Sequence, residues 1–343
     1  MRSAVQAGDD VCVTASVGNV NLDNLDSSAT RFVGTSGSGE LGAVSISGSS
    51  RITVRARMRS TIIRGGSSFI TIEQSRIGGT AANRVYDQLI FMPDSTTDVT
   101  IRDNDIGWTL ADDSGNTGYG CRCYGNSTRL RFERNKLHDL AADGFQGVGG
   151  SDVVIDRNEI GPVGANPGSS EHSDNIQITG NGSNLRITNN WLHHQGYYNG
   201  STTGNAGATY IHGGSSGALL YENNLVEIGR GRVEIGGLGT GGTSRSNITI
   251  RGNTFSDLGQ AFTGFPGFEW DIDSGTGNLV ERNLAVDPEG GFALSGSLSA
   301  ATFIANIWTR IATLDAAGNC TGAICNPLGQ PPIGYRKPTG VHW

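Results

Sequence analysis

Between Ser169 and Gly200 the chain reads SSEHSDNIQITGNGSNLRITNNWLHHQGYYNG, the densest set of reactive side chains in the sequence. His172 and Asp174 stand two apart ahead of the IQIT run, and His193, His194, Tyr197 and Tyr198 follow the WL pair. An imidazole titrates near neutral pH, so it can take or give a proton there. A neighbouring carboxylate can orient it, and a phenol can act as proton donor. Such groups need a rigid frame, and the same stretch supplies one in its short apolar segments punctuated by Gly and Asn.

Those segments belong to a repeat: apolar, any, apolar, two polar residues, Asn, any, apolar. It appears as VTIRDNDI, LRFERNKL, VVIDRNEI, LRITNNWL, LLYENNLV and ITIRGNTF, then more loosely as LVERNLAV and TFIANIW. The shared residue is Asn104, Asn135, Asn158, Asn190, Asn224, Asn253, Asn283 and Asn306, spaced by 23 to 34 residues. Such a unit is too small to bury its own apolar side, and stacking copies solves this. Alternation places Leu185 and Ile187 inward and Arg186 and Thr188 outward. An Asn at a fixed bend can bond to the Asn above and below. The chain is therefore expected to be all-β, a right-handed parallel β-helix of about eleven coils with an Asn ladder, over residues 1–311. Residues 312–343 break the pattern and are expected to fold back as a cap.

The extra length falls at Gly107–Gly118, Gly161–Ser173, His193–Ala208 and Ser256–Gly267, always between the strand after the Asn and the first strand of the next coil. These insertions are expected to wall the face made by the first strands, where a solenoid concentrates function. Aligned by inward residues, those strands present a central outward row of Arg122, Gln146, Gln177, His212, Glu234 and Asp271. Successive members would lie about 4.8 Å apart. A second row holds Asn175, Tyr210, Arg232 and Glu269, and Asp143 and Asp174 open two strands in matching DGFQ and DNIQ contexts.

Three functions fit such rows. A polysaccharide lyase, the first expectation, needs a group that neutralises a uronate, a base for the C5 proton and an acid for the leaving oxygen. Asn175, Gln177 and Arg232 suit the first role, His172 or His212 the second and Tyr210 the third, with Asp174 orienting a histidine. A glycoside hydrolase needs two carboxylates, and Glu234 and Asp271 on neighbouring coils supply them. Glu269 and Asp273 enlarge that patch into oxygen ligands for Ca²⁺, the one cofactor the sequence points to. A non-catalytic glycan-binding or surface protein would use Trp108, Trp191, Tyr197 and Tyr198 as stacking surfaces. Arg122, Gln146, Asn175, Gln177, Tyr197, Tyr198 and Glu269 are the expected substrate contacts in either enzyme.

Composition narrows the partners. There are 53 glycines, and the net charge of −7 with a pI near 5.4 argues against nucleic acid, which selects a basic face. No apolar run reaches the roughly 18 residues of a membrane helix. A monomer acting on a polysaccharide or oligosaccharide is expected. Of the five cysteines, Cys320 and Cys325 could close a small loop, which would fit an exported protein. Cys121 and Cys123 face the same way two residues apart, a poor geometry for pairing, and Cys12 has no evident partner. Only Ser3 to Gln6 remain of a capping helix ahead of the first strand, so the native product is expected to be longer upstream and to carry an export signal, placing the protein outside the cell or on its surface.

The coil pattern from about Val11 to Ile311, together with EHSDNIQ, resembles the right-handed parallel β-helix proteins of the pectate-lyase-like superfamily. The EHSDNIQ segment is similar to H-x-D-x-[IL]-Q stretches in bacterial members. The resemblance implies polysaccharide lyases, glycoside hydrolases, uronan epimerases or surface proteins. Their catalytic sets do not transfer: G-H-G with R-I-K, D-P-H-D and groove lysines have no counterpart here. One fold of this kind hosts many chemistries.

Overall fold

In the computed structural model the described residues are 11–25, 31–37, 39–110, 118–147, 149–164, 173–180, 182–193, 207–212, 217–227, 233–236, 244–256, 268–286, 292–294 and 297–308. His172, His194, Tyr197, Tyr198, Arg232, Cys320, Cys325 and residues 312–343 lie outside them. Every strand pairing among the described residues is parallel, and each runs from one coil to the next. The one helical segment described is the single 3₁₀ turn Leu298–Ala300. None is long and apolar enough to cross a membrane. This is a parallel β-helix.

Three faces stack along it. The first carries Ile90–Met92, Cys121–Cys123, Phe145–Gly147, Ile176–Ile178, Thr209–Ile211, Val233–Gly236, Phe268–Asp271 and Phe292–Leu294. The second carries the strands that end two residues ahead of each ladder Asn, such as Arg131–Glu133 and Leu185–Thr188, and the third begins with the residue after it, as in Lys136–His138 and Trp191–His193. Toward the N-terminal end the first and third faces merge, because Arg57–Ile63 pairs with both Arg76–Gly78 and Ile90–Met92.

Alternation does the packing. On the second face Ile101, Phe132, Ile155, Ile187, Tyr221, Ile250, Val280 and Phe303 stack in register. On the third, Ile106, Leu137, Ile160, Leu192, Val226 and Phe255 do the same, all fully buried. Burying a side chain of this size is worth about 1.5–3 kcal/mol, and each coil contributes several.

The bend between the second and third faces is made by the asparagines. Asn190 shows the pattern: its Nδ2 donates to Asn224 Oδ1 at 3.0 Å and to the Ile155 carbonyl at 3.0 Å, while its Oδ1 accepts from Asn158 N at 2.9 Å and Nδ2 at 3.0 Å. The same contacts link Asn104 to Asn135, Asn135 to Asn158, Asn224 to Asn253, Asn253 to Asn283 and Asn283 to Asn306. The residue before each Asn turns the chain in the left-handed region, as at Asp103, Arg134, Arg157, Asn189 and Asn223. A backbone bent this sharply leaves amides that no strand can satisfy, and the buried side-chain amide satisfies them.

Candidate functional site

On the first face the pairing fixes which outward residues share a row: Arg122, Gln146, Gln177, Tyr210, Glu234 and Glu269. Here the alignment read from the sequence is corrected. Tyr210 and Glu269 occupy the central row, and His212 and Asp271 lie two residues further along their strands, Asp271 opposite Gly236. A slide of two residues keeps every apolar side chain inward, so alternation alone does not forbid it. Glu234 is consequently the rung neighbour of Glu269, with Asp271 on the diagonal at roughly 8 Å between Cα atoms, taking about 3.3 Å per residue and 4.8 Å per rung.

The first three members of the row are hydrogen-bonded in series, and the series ends on Asp174. Arg122 Nε donates to Gln146 Oε1 at 2.7 Å, Gln146 Nε2 donates to Gln177 Oε1, and Gln177 Nε2 donates to Asp174 Oδ2 at 3.2 Å. Asp174 sits just ahead of Ile176–Ile178 and is fully buried. Its Oδ1 accepts from Gly207 N, and its own backbone N–H donates to Asp143 Oδ1 at 2.7 Å. Burial, then the nearby charges of Asp143 and Glu234, push the Asp174 carboxyl well above the carboxylate range. Asp143 is buried as well, and so are Glu234, His212 and Asp271, although these three stand on the outward side. His212 Nε2 lies 3.1 Å from Glu234 Oε1 without the alignment of a hydrogen bond, and the rings of Tyr210 and His212 are in contact with centroids 3.4 Å apart.

Asn175 departs from its expected role. Its side chain is fully buried, with Nδ2 donating to the carbonyls of Ile160 at 2.8 Å and His193 at 3.3 Å. It joins the third face to the first and does not face a substrate. The acidic patch read as a Ca²⁺ site also changes. Among the described residues Glu234, Glu269, Asp271 and Asp273 do not converge into a group that could hold a metal, because the first two lie side by side across a rung and Asp271 lies two residues along.

A second set of polar residues lies on the third face, and of its members the sequence singles out only His193. Arg76, Asp105, Lys136, His138, Glu159 and His193 line a groove of about 1010 Å³. His138 Nε2 is 2.7 Å from Asp105 Oδ1 and its Nδ1 is 2.9 Å from Asp139 Oδ2. Burial lowers the affinity of His138 for its proton, but the hydrogen bonds and charges of Asp105 and Asp139 outweigh this and raise it, and the bond to His138 holds Asp105 below its usual range. Lys136 Nζ and His193 Nε2 approach Glu159 Oε1 at 3.5 and 3.7 Å. Against the raising effect of burial, His193 and Lys136 keep Glu159 below the ordinary carboxylate value. Trp108 and Trp191, expected to stack on sugars, stand here: Trp108 packs edge-on against His138 at 5.3 Å and Trp191 stacks on His193 at 4.3 Å. A signal existed in the sequence. The residue after each ladder Asn is outward on this face, and Asp105, Lys136 and Glu159 alternate in sign there.

No family model and no curated protein matches the chain. Among solved structures it is similar to the Dettilon tailspike protein gp208, with 12% identity and a TM-score of 0.37 over 86% of this chain and 61% of that one. It is similar also to the catalytic unit of a GH87 α-1,3-glucanase from Streptomyces thermodiastaticus, with 15% identity and a TM-score of 0.35 over 89% of this chain and 64% of that one. The Streptococcus pneumoniae surface protein and adhesin PfbA gives 11% identity and a TM-score of 0.33 over 86% and 88%. The chain thus spans under two thirds of the first two. The fold itself rests on the strand pairing described above.

Proposed function

We propose that the first face binds a glycan and that Asp174 and Glu234 hydrolyse a glycosidic bond in it. The observation that carries this reading is the placing of the Asp174 carboxyl, buried at the edge of the row, bonded to Gln177 and set beside Asp143; burial and the charges of Asp143 and Glu234 raise its pKa. Hydrolysis needs one carboxylic acid to protonate the leaving oxygen and one carboxylate to act as nucleophile or base. Environments that push two carboxyls apart in acidity provide that division. In this scheme Asp174 is the acid, Glu234 the carboxylate, and Asp143 a like charge that adds to the effect of burial on Asp174. Gln146 and Gln177 hold the row in place, and Tyr210 and Glu269 flank Glu234 on neighbouring rungs. A polymer of this kind is met outside the cell, so a secreted or cell-surface location goes with this function.

β-Elimination is the second reading, favoured by the Tyr210–His212 pair against Glu234. The described part of the row is poor in the cations a uronate lyase uses at the reacting sugar, which counts against it. Incubation with neutral and acidic polysaccharides separates the two. New reducing ends without ultraviolet-absorbing unsaturated sugars are expected. Unsaturated products would overturn hydrolysis in favour of elimination, and binding without either product would remove both.

A further inference from the structure

We propose that Arg122 anchors an acidic group of the bound glycan, a carboxylate or a sulfate, several sugar rings from the bond that is cleaved. The inference rests on the first face being a glycan face. Arg122 stands in the central outward row, opposite Phe91 on one side and Gln146 on the other, yet it is only 7% exposed. Its guanidinium is held between the rings of Tyr119 and Tyr124, at 4.2 Å from each centroid. The Nε proton goes to Gln146, while the buried Nη1 has no hydrogen-bond partner. Among the described residues no carboxylate forms an ion pair with it. Other arginines of the helix behave differently: Arg55 and Arg102 close on Glu73, Arg134 on Asp103 and Arg251 on Glu222.

A buried cation without a counter-charge is costly. Two ring faces return only part of that cost. The remaining deficit is what a ligand anion would remove, and a guanidinium matches the planar geometry of carboxylate and the tetrahedral edge of sulfate. The site also has an aromatic surface for the sugar that carries the anion. Tyr124 is 40% exposed and is braced edge-on by Phe91 at 6.1 Å. The anion reaches the guanidinium beside that ring. Arg122 is two rungs from the coil of Asp174 and four from Glu234, about 10 and 19 Å at 4.8 Å per rung, so it does not touch the reacting atoms. It sets specificity: the linkage cut at Asp174 and Glu234 is chosen by an acidic substituent held at a distance.

The test is equilibrium binding by calorimetry with three hexasaccharides: one of uronic acid, one sulfated and one neutral. The wild-type protein is expected to bind an acidic hexamer roughly tenfold tighter than the neutral one, with an advantage that shrinks as salt rises. The uronic and sulfated arms tell which anion is preferred. Arg122→Met should erase the advantage and leave the neutral hexamer bound within about twofold. Arg122→Lys should keep part of it, and Tyr124→Ala should weaken acidic and neutral ligands alike. Thermal midpoints check that the variants fold; if Arg122→Met does not, the wild-type salt dependence decides alone. Equal affinity of wild type for all three hexamers, or an advantage that survives Arg122→Met, overturns the proposal. Arg122-dependent binding without any cleavage would instead sink the hydrolase reading and leave this one standing.

Discussion

On the third face a histidine sits between two carboxylates; on the first face a carboxyl sits beside two others. His138 is bracketed by Asp105 and Asp139, and Lys136 with His193 brackets Glu159. Each charge there has an opposite within reach, and each shifted group moves toward its charged form. Asp174 moves the other way, toward its neutral form, because burial penalises its charge and its neighbours Asp143 and Glu234 share its sign. Both arrangements are built on the same repeat, one strand apart in the coil. The difference separates opposite charges that bridge coils from like charges gathered on one face. Perturbed acidity marks both places, so perturbation alone does not identify a catalytic group.

The sharpest way to break this contrast is at Asp174 and Glu234. Asp174→Asn or Glu234→Gln is expected to lower cleavage by roughly 10²–10⁴-fold, the range for loss of a general acid or base. Stability should respond oppositely. A carboxyl whose folded pKa is raised above its unfolded value of about 3.9 stabilises the fold below that value and loses the contribution as pH rises through the folded one. At pH 8 the Asp174→Asn protein should therefore melt no lower than wild type. A variant that keeps full activity, or one that melts far lower at pH 8, would show Asp174 to be scaffold after all.

The third face should give the reverse pattern. His138→Gln removes two bonds to carboxylates and is expected to cost about 2 kcal/mol near pH 5.5. His138 has a folded pKa above its unfolded value, so its contribution is complete below about 6.5 and fades as pH rises through the raised value. Urea unfolding at a series of pH values should show variant and wild type converging at alkaline pH. Cleavage should be unchanged. A large fall in turnover with stability intact would move the chemistry to the groove of the third face.

What could be read in the sequence divides along the same line. The ladder and the inward stacks were legible because they repeat: Asn104 through Asn306 mark one bend each, and alternation gives the direction of every side chain near it. Position along a strand was not. His212 and Asp271 were assigned to the central row in place of Tyr210 and Glu269, since a shift of two preserves inside and outside. Asn175 was taken as outward because it precedes an inward Ile, but a strand's first residue sits on a corner, and its amide turned to the Ile160 and His193 carbonyls. His138 stands alone in the sequence, away from the histidines around Ser169 to Gly200, and no local pattern sets it out. From the sequence Asp174 reads as a partner for a histidine; the structure bonds its backbone to Asp143 and brings it under the charges of Asp143 and Glu234, a partnership between coils that no local pattern announces.

The second face calibrates both comparisons with the smallest expected effect. Arg251 Nε donates to Glu222 Oε1 at 2.6 Å, as close as any pair on the third face, but the two side chains are 45% and 32% exposed. Water and salt screen such a pair and its side-chain ordering offsets much of the attraction, so Glu222→Gln should change stability by no more than about 0.5 kcal/mol. Cleavage and its pH profile should not move. Urea midpoints at low and high salt check this. If Glu222→Gln costs as much as His138→Gln, close contact alone would explain the third face, and the bracketing of His138 by two carboxylates would lose its special weight. If it costs little, burial and doubled partners account for the difference, and the unbalanced Asp174 stands apart from both.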